Sequence, residues 1–176
     1  GRDSRQPAAV RLDALAAAHP AAIGSIDPTL FDFLRTHLDG RQAMVVRGAA
    51  ATVLAKAALT PGQQLALAEA LRSVGALEAP KLLPAFEKAP TEPLGLKLVA
   101  TLQGSPGLAG IRANVLQTLL AKYPPSVRQQ GDALLASLNT DAARQNARVD
   151  ELLAAVKHGD IRRGQALFNS ERTACK

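Results

Sequence analysis

The chain has 176 residues and a mass of 18.4 kDa, which suits one domain or one helical repeat array with a short appendage. Its composition is 47% hydrophobic and 20% charged with a mean hydropathy of +0.02, and this balance excludes an intrinsically disordered chain. The formal net charge of +6 permits an acidic partner without specifying one, because the basic residues are dispersed along the sequence.

The N-terminal residues and the cysteine content set further limits. The chain begins Gly-Arg-Asp-Ser-Arg, without an initiator Met or an apolar signal segment, so we expect a processed or excised chain. No segment has the roughly 18 apolar residues of a membrane span, so we expect no transmembrane helix. Cys175 is the only cysteine, which excludes an internal disulfide, and the scattered His19, His37 and His158 predict no metal cluster with it.

The order of apolar and breaking residues predicts an all-α protein. Alanine and leucine dominate, and no segment alternates with the period of two that is typical of a strand. Asp27-Pro28 and Thr60-Pro61 each place a capping oxygen before a proline and predict helix starts. Gly, Pro and Asn-rich breaks, including one at residues 139–141, divide the chain into about ten short antiparallel helices. Left-handed helix ends are predicted at Gly75, Gly104 and Gly159.

The spacing of these helices favours an α-solenoid over a helix bundle. Helix starts recur every 13 to 17 residues between about residues 61 and 141, so a two-helix unit spans roughly 30 to 34 residues, the scale of helical repeats. The irregular spacing is typical of degenerate, HEAT-like repeats. We expect a bend in the array near Pro80, Pro84 and Pro93, and we expect most of the four phenylalanines to be buried.

Candidate chemical groups are sparse, and the sequence predicts no catalytic residues. His19, His37 and His158 have no partner at the spacing of a triad or a metal pair, and the adjacent Asp150 and Glu151 face different directions on a helix. A HEAT-like nucleic-acid binder would need basic residues such as those below to share one face. The single Tyr, the absence of Trp and the interspersed carboxylates disfavour that reading. The basic candidates are Arg41, Arg47, Lys56 and Arg72.

The last eighteen residues have a different pattern. They contain Gly159-Asp160, two residues, Arg163-Gly164, two residues, Leu167-Phe168, and then Cys175. This order resembles the opening of a class I c-type cytochrome domain. The resemblance implies that Cys175 is the first haem thioether cysteine, that Lys176 is a spacer residue, and that the second cysteine and the axial histidine follow in a longer protein. It also implies that Asp160, Gly164, Leu167 and Phe168 pack the first cytochrome helix.

The preceding helices carry a second resemblance. Segments 80–86, 94–102 and 121–127 look like the HEAT-like domain that precedes the haem-binding domain in large bacterial membrane-bound dehydrogenases. This resemblance implies residues 1–158 as a HEAT-like repeat domain and residues 159–176 as the linker and first helix of the cytochrome domain. It implies haem c in the full-length protein, with no cofactor in these 176 residues, and a periplasmic or otherwise exported location.

These features lead to three hypotheses. In the first, the chain is a non-catalytic helical spacer that links a dehydrogenase-type domain to a c-type cytochrome in an electron-transfer protein, with those adjacent domains as partners. In the second, it is a free-standing scaffold that binds a protein segment, and Cys175 is an incidental thiol. The third hypothesis is a HEAT-like nucleic-acid enzyme or binder. An enzyme acting alone is the least supported reading, so we expect that residues 1–176 by themselves are not an enzyme.

Overall fold

A computed structural model describes residues 3, 5–155 and 159–170, and for residue 142 its backbone alone. The described residues are 71% helical and form no strand, which confirms the all-α prediction. Ser25 and Ala58 form an isolated parallel bridge between two loops. The α-helices, numbered α1 to α10 in chain order, are Ala8–Ala17, Pro20–Ile23, Pro28–Thr36, Met44–Lys56, Pro61–Ala70, Ala79–Leu82, Glu92–Leu102, Ala113–Leu120, Pro125–Ala155 and Ile161–Phe168. Two 3-10 helices, Leu83–Phe86 and Pro106–Gly110, complete the described elements.

The predicted caps form where the side chains allow. Asp27 accepts a hydrogen bond from Leu30 N at 2.8 Å, and Pro28 is the first residue of α3. Thr60 and Gln63 make a reciprocal capping box at the start of α5. Gly104 has a φ of 84°, as its position after α7 predicts, whereas Gly75 does not have a positive φ. The prediction for Gly159 borders residues 156–158, which lie outside the described residues.

One prediction about helix boundaries needs correction. No break occurs at residues 139–141, because α9 continues from Pro125 to Ala155. Asn139 and Asp141 are tolerated there because both are exposed on a helix with no proline after Pro125. The prolines at 80, 84 and 93 lie in the first turn of their helices, where a missing N–H costs no hydrogen bond, and the bend expected near them stays a prediction.

The chain divides into two compact units, residues 1–138 and residues 139–176. The predicted domain boundary between residues 158 and 159 touches residue 158, which lies outside the described residues, and it stays a prediction. Helix α9 contributes its first part to one unit and its second part to the other.

The first unit holds the hydrophobic core. Buried side chains run from Leu12 in α1 to Leu134 in α9, and they are almost all Leu, Ala, Val and Ile, with Phe31, Phe86 and Tyr123 as the buried aromatic rings. Gly95 permits close packing of α7 on α9, because a Cβ at that position would lie 2.6 Å from Val127 Cγ1. Phe33 is only partly buried and Phe168 is 62% exposed, so two of the four phenylalanines are buried and the expectation that most would be was wrong.

Hydrogen bonds between distant segments recur at a similar sequence separation in the first unit. Five side chains reach backbone carbonyls that are 31 to 40 residues away, whereas Gln64 Nε2 reaches Ala85 O across 21 residues. Most of the carbonyls in the five longer pairs are near helix ends, where they have no partner within their own helix. The pairs are Lys56 Nζ to Ala16 O, Gln63 Nε2 to Ile26 O, Lys88 Nζ to Ala57 O, Ser105 Oγ to Leu71 O, and Tyr123 OH to Phe86 O. Helices also pack on helices two places further along the chain, as α3 does on α5 and α5 on α7.

The second unit contains the end of α9 and the whole of α10. Asp160 caps α10 by accepting hydrogen bonds from Arg162 N and Arg163 N. No residue of α10 is buried, and Ile161 is 87% exposed. Among the described residues, no helix is long and apolar enough to cross a membrane.

Candidate functional site

An open groove of about 440 Å³ lies beside α4 in the first unit, and we call it the α4 groove. Met44, Val45 and Gly48 come from one face of α4, whereas Leu77, Glu78 and Lys81 come from the start of α6 and the residues before it. Asp13 of α1 also lines it. The opposite face of α4, which includes Val53 and Leu54, is fully buried in the core. The sequence places residues 44, 45, 48 and 52 on one side of a helix, and the core packing of the other side turns them outward.

The rim of the α4 groove carries apolar side chains, and its floor includes a glycine. Met44, Val45 and Leu77 are 59%, 69% and 59% exposed, which is unusual for three neighbouring large apolar side chains around one groove. Gly48 forms part of the floor, and the Lys81 ammonium lies 3.3 Å from where a Cβ on Gly48 would be. Any larger residue at position 48 would therefore displace the Lys81 ammonium.

One wall of the groove is supported by a buried ion pair. Arg47 Nε donates to Glu78 Oε1 at 3.2 Å, and Glu78 is 1% exposed. Arg47 Nη1 also donates to Gln42 O at 2.7 Å, so the guanidinium ties the loop before α4 to the start of α6. Glu78 Oε2 has no hydrogen-bond partner among the described residues. The ion pair holds the two walls of the groove together. Burying its two charged groups costs desolvation free energy, which their attraction offsets.

The α4 groove offers exposed apolar side chains, one ammonium and two carboxylates, Asp13 and Glu78, and Glu78 is paired with Arg47. Within residues 3, 5–155 and 159–170, no three His, Cys, Asp or Glu side chains come together where they could hold a metal ion. Sequence reasoning missed this groove, because it depends on α6 packing across α4 from 31 residues away.

The structure gives the two described histidines local structural contacts. His19 Nδ1 accepts a hydrogen bond from Ala21 N at the start of α2. His37 Nδ1 lies 2.7 Å from Phe33 O and donates to it, because a carbonyl can only accept, and its ring packs on the Phe33 ring with centroids 4.4 Å apart. His158 and Cys175, the latter predicted as a haem attachment residue, lie outside the described residues.

The four basic residues that the sequence singled out each have an interaction with the protein. Arg41 pairs with Asp39, and its hydrogen bonds lower the pKa of that carboxyl. Arg47 pairs with Glu78, Arg72 pairs with Glu69, and Lys56 Nζ donates to the carbonyls of Ala16 and Ala18. These cations are satisfied by the chain itself, and they come from separate parts of it.

The buried Tyr123 is the only tyrosine of the chain. Its hydroxyl donates to Phe86 O at 2.6 Å, which joins the start of the α8–α9 turn to the 3-10 helix Leu83–Phe86. Burial raises the pKa of Tyr123 to about 12, and the nearby Glu87 carboxylate acts in the same direction. The group is therefore a structural hydrogen-bond donor at neutral pH.

Comparison of the chain with protein-family models, with curated protein sequences and with solved structures gives no significant match.

Proposed function

We propose that residues 1–158 form a HEAT-like α-solenoid that acts as a non-catalytic spacer between a dehydrogenase-type domain and a c-type cytochrome. The observation that carries this proposal is the recurrence of hydrogen bonds between segments 31 to 40 residues apart in the first unit. A two-helix repeat of about 34 residues places each helix against its counterpart in the next repeat, which produces ties at this separation.

The same ties support the spacer role. A spacer must keep its two ends at a set separation, and it does so when each repeat is bonded to the next by more than apolar packing. Lys56, Lys88 and Ser105 each donate to carbonyls near the end of another helix. Because hydrogen bonds are directional, these contacts restrict translation and rotation of that helix more than apolar packing alone does.

The cytochrome part of the proposal rests on α10 and on the sequence around it. Ile161, Gly164 and Phe168 share one face of this helix, and Asp160 caps it where the resemblance requires a helix start. Ile161 and Phe168 are 87% and 62% exposed, an exposure that the proposal explains by the absence of the rest of a cytochrome domain.

These 176 residues do not by themselves fit a haem c site. Attachment of haem c through Cys-x-x-Cys-His needs two cysteines and a histidine, and the sequence has Cys175 followed by Lys176. Of the other histidines, His19 and His37 are engaged in local contacts of the first unit. No step of electron transfer is therefore assigned to residues of this chain, and under the proposal haem belongs to the longer protein.

The test is to express the native gene with its own export signal in a bacterium that matures c-type cytochromes. We expect an intact mass increased by one haem and a haem absorption band in the visible spectrum. Cys175→Ala is the sharp variant, because it removes the proposed thioether position, and Ser170→Ala is its matched control on the same segment. The cytochrome proposal is wrong if the native product has no covalent haem. It is also wrong if the haem in Cys175→Ala is still attached through two thioether bonds.

A second candidate function, a scaffold that binds a protein segment, is favoured by the α4 groove. Its exposed Met44, Val45 and Leu77 side chains suit the apolar side chains of a bound segment. Hydrogen exchange of the backbone amides of residues 44–52 tests whether another domain docks in the α4 groove. If a domain of the native protein covers it, exchange there is slower in the native protein than in residues 1–176, and Val45→Lys removes the difference. Equal exchange rates would count against docking at this groove.

The nucleic-acid alternative has its own simple measurement. Binding to a DNA duplex at two salt concentrations would have to fall steeply as salt rises, because release of counterions dominates such binding. We expect no measurable binding at physiological salt, since Arg41, Arg47 and Arg72 are paired with carboxylates.

A further inference from the structure

Three helices of the first unit form the α4 groove. Helices α1 and α6 both pack on α4, and each contributes one charged side chain to the groove, Asp13 from α1 and Lys81 from α6. Between them lies the outward face of α4, where the Thr52 hydroxyl donates to Gly48 O at 2.8 Å. Because that hydroxyl proton is already used within α4, the charges that a bound partner meets come from α1 and α6.

Two charged groups of the groove have no partner in the chain. Within the part of the chain that the structure describes, neither the Lys81 ammonium nor the Asp13 carboxylate makes an ion pair or a side-chain hydrogen bond, and both side chains are exposed. The Glu78 carboxylate, which also lines the groove, is instead buried and paired with Arg47. Lys81 and Asp13 can therefore each take an opposite charge from a partner without first breaking a bond of this chain.

The apolar rim of the groove lies close to the ammonium. The Lys81 ammonium is 3.3 Å from where a Cβ on Gly48 would be, and Met44 and Val45 precede Gly48 by four and three residues on the same helix. One turn of helix rises about 5.4 Å. A side chain that packs against Met44 and Val45 therefore has a cation about one helical turn away from it along α4.

These groups fit a partner segment that carries both an apolar side chain and a carboxylate. A wholly apolar occupant would cover the Lys81 ammonium without supplying a counterion, which costs desolvation free energy. A basic occupant would bring like charges together, whereas the net charge of +6 attracts an acidic one. Asp13 favours a cation at the α1 side of the groove, so the two charges together select one direction for the bound segment.

We propose that the α4 groove binds a segment of a partner protein that has an apolar side chain, an Asp or Glu beside it, and a Lys or Arg at the α1 side. The apolar side chain packs against Met44, Val45 and Leu77. The carboxylate of the segment pairs with Lys81, and its cation pairs with Asp13. This inference rests on the second candidate function, the scaffold that binds a protein segment, and adds the chemistry of the partner to it.

The first test selects random peptides displayed on phage against residues 1–176, with Cys175→Ser to remove the thiol. We expect the enriched peptides to share an apolar residue with Asp or Glu close to it. Lys81→Glu should weaken binding of a synthetic enriched peptide at least about tenfold. Arg128→Glu makes the same change of charge at an exposed position outside the groove and should leave binding unchanged. The proposal is overturned if no peptide is enriched, or if the two variants bind equally.

A second pair of variants separates this inference from the function on which it rests. Val45→Ser should weaken the same peptide several-fold, whereas Val115→Ser, at an exposed valine of α8, should not. Sensitivity to Val45→Ser without sensitivity to Lys81→Glu would overturn the charge pairing and leave a groove that binds segments. Insensitivity to both would show that the peptide binds elsewhere, which would count against the scaffold function at this groove as well.

Charge exchange tests the direct contacts and the direction of the segment. A peptide whose Asp or Glu is replaced by Lys should recover binding to Lys81→Glu, and one whose Lys or Arg is replaced by Glu should recover binding to Asp13→Lys. Absence of recovery in both combinations would contradict the pairing. Sedimentation of the chain without peptide covers the remaining occupant. A dimer that dissociates in Val45→Ser would mean that a second copy fills the groove, and the proposed partner would be wrong.

Discussion

Helices α4 and α7 in the first unit and the end of α9 in the second have amphipathic sequences, yet they differ in burial. In the first unit Leu54, Leu98 and Leu102 have no exposed surface. In the second, Val149, Leu152 and Leu153 keep half or more of theirs. Periodicity establishes that a helix has an apolar side, but it carries no information on which surface covers that side. The comparison separates the residues that hold the fold from those that are available to a partner.

The largest expected effect is at the buried ion pair of the first unit. Arg47→Met leaves the Glu78 carboxylate buried without its partner, and we expect a loss of about 3 to 5 kcal/mol in the free energy of unfolding. Arg47→Met with Glu78→Met should recover most of this loss, because no isolated charge stays buried. Urea unfolding of the unmodified chain, Arg47→Met, Glu78→Met and the double variant measures the coupling free energy of the pair. A double variant as unstable as Arg47→Met would contradict this account.

A matched pair of leucines compares the two units directly. Leu98→Ala removes a fully buried side chain of α7 and should cost about 2 to 5 kcal/mol, whereas Leu153→Ala, on the exposed end of α9, should cost less than about 0.5 kcal/mol. Urea unfolding of the two variants and the unmodified chain gives both values. Similar losses for the two variants would mean that residues 139–155 share the core of the first unit.

Tyr123 provides a pH test of the same core. Its folded pKa of about 12 exceeds the ordinary value of 10.0, so its stabilising contribution is complete below pH 10 and is lost as the pH rises through 12. Because Tyr123 is the only Tyr and the chain lacks Trp, tyrosinate absorbance reports this residue alone. We expect the titration midpoint near 12 in buffer and near 10 in denaturant. A midpoint near 10 in buffer would mean that the hydroxyl is solvated.

The smallest expected effects are at two helix caps, one in each unit. Thr60→Ala removes one half of a capping box and should lower the unfolding free energy by about 1 kcal/mol. Asp160→Ala removes the cap of α10 and should reduce helical circular dichroism slightly, without moving the urea midpoint of the first unit. A shift of that midpoint by Asp160→Ala would show that α10 stabilises the core.

The errors of sequence-based prediction lie where local signals are weak. Asp27 and Thr60 cap helices as predicted, because a cap depends on a few adjacent residues. The break expected at residues 139–141 was wrong because Asn and Asp favour helix ends only mildly and no proline or glycine accompanies them. Most of the four phenylalanines were expected to be buried, but only Phe31 and Phe86 are, because composition cannot show which helices pack.

The sequence by itself determined the all-α class, several helix starts and the mostly Leu, Ala and Val composition of the core, since these follow from propensity, capping and periodicity within a few residues. Only the tertiary structure decided that Glu78 is buried beside Arg47, that α4 and α6 enclose a groove, and that Val149 and Leu152 stay exposed. These features depend on which faces meet across 30 or more residues of chain. Such meetings are set by the packing of the whole core, to which each local segment contributes only its own apolar side.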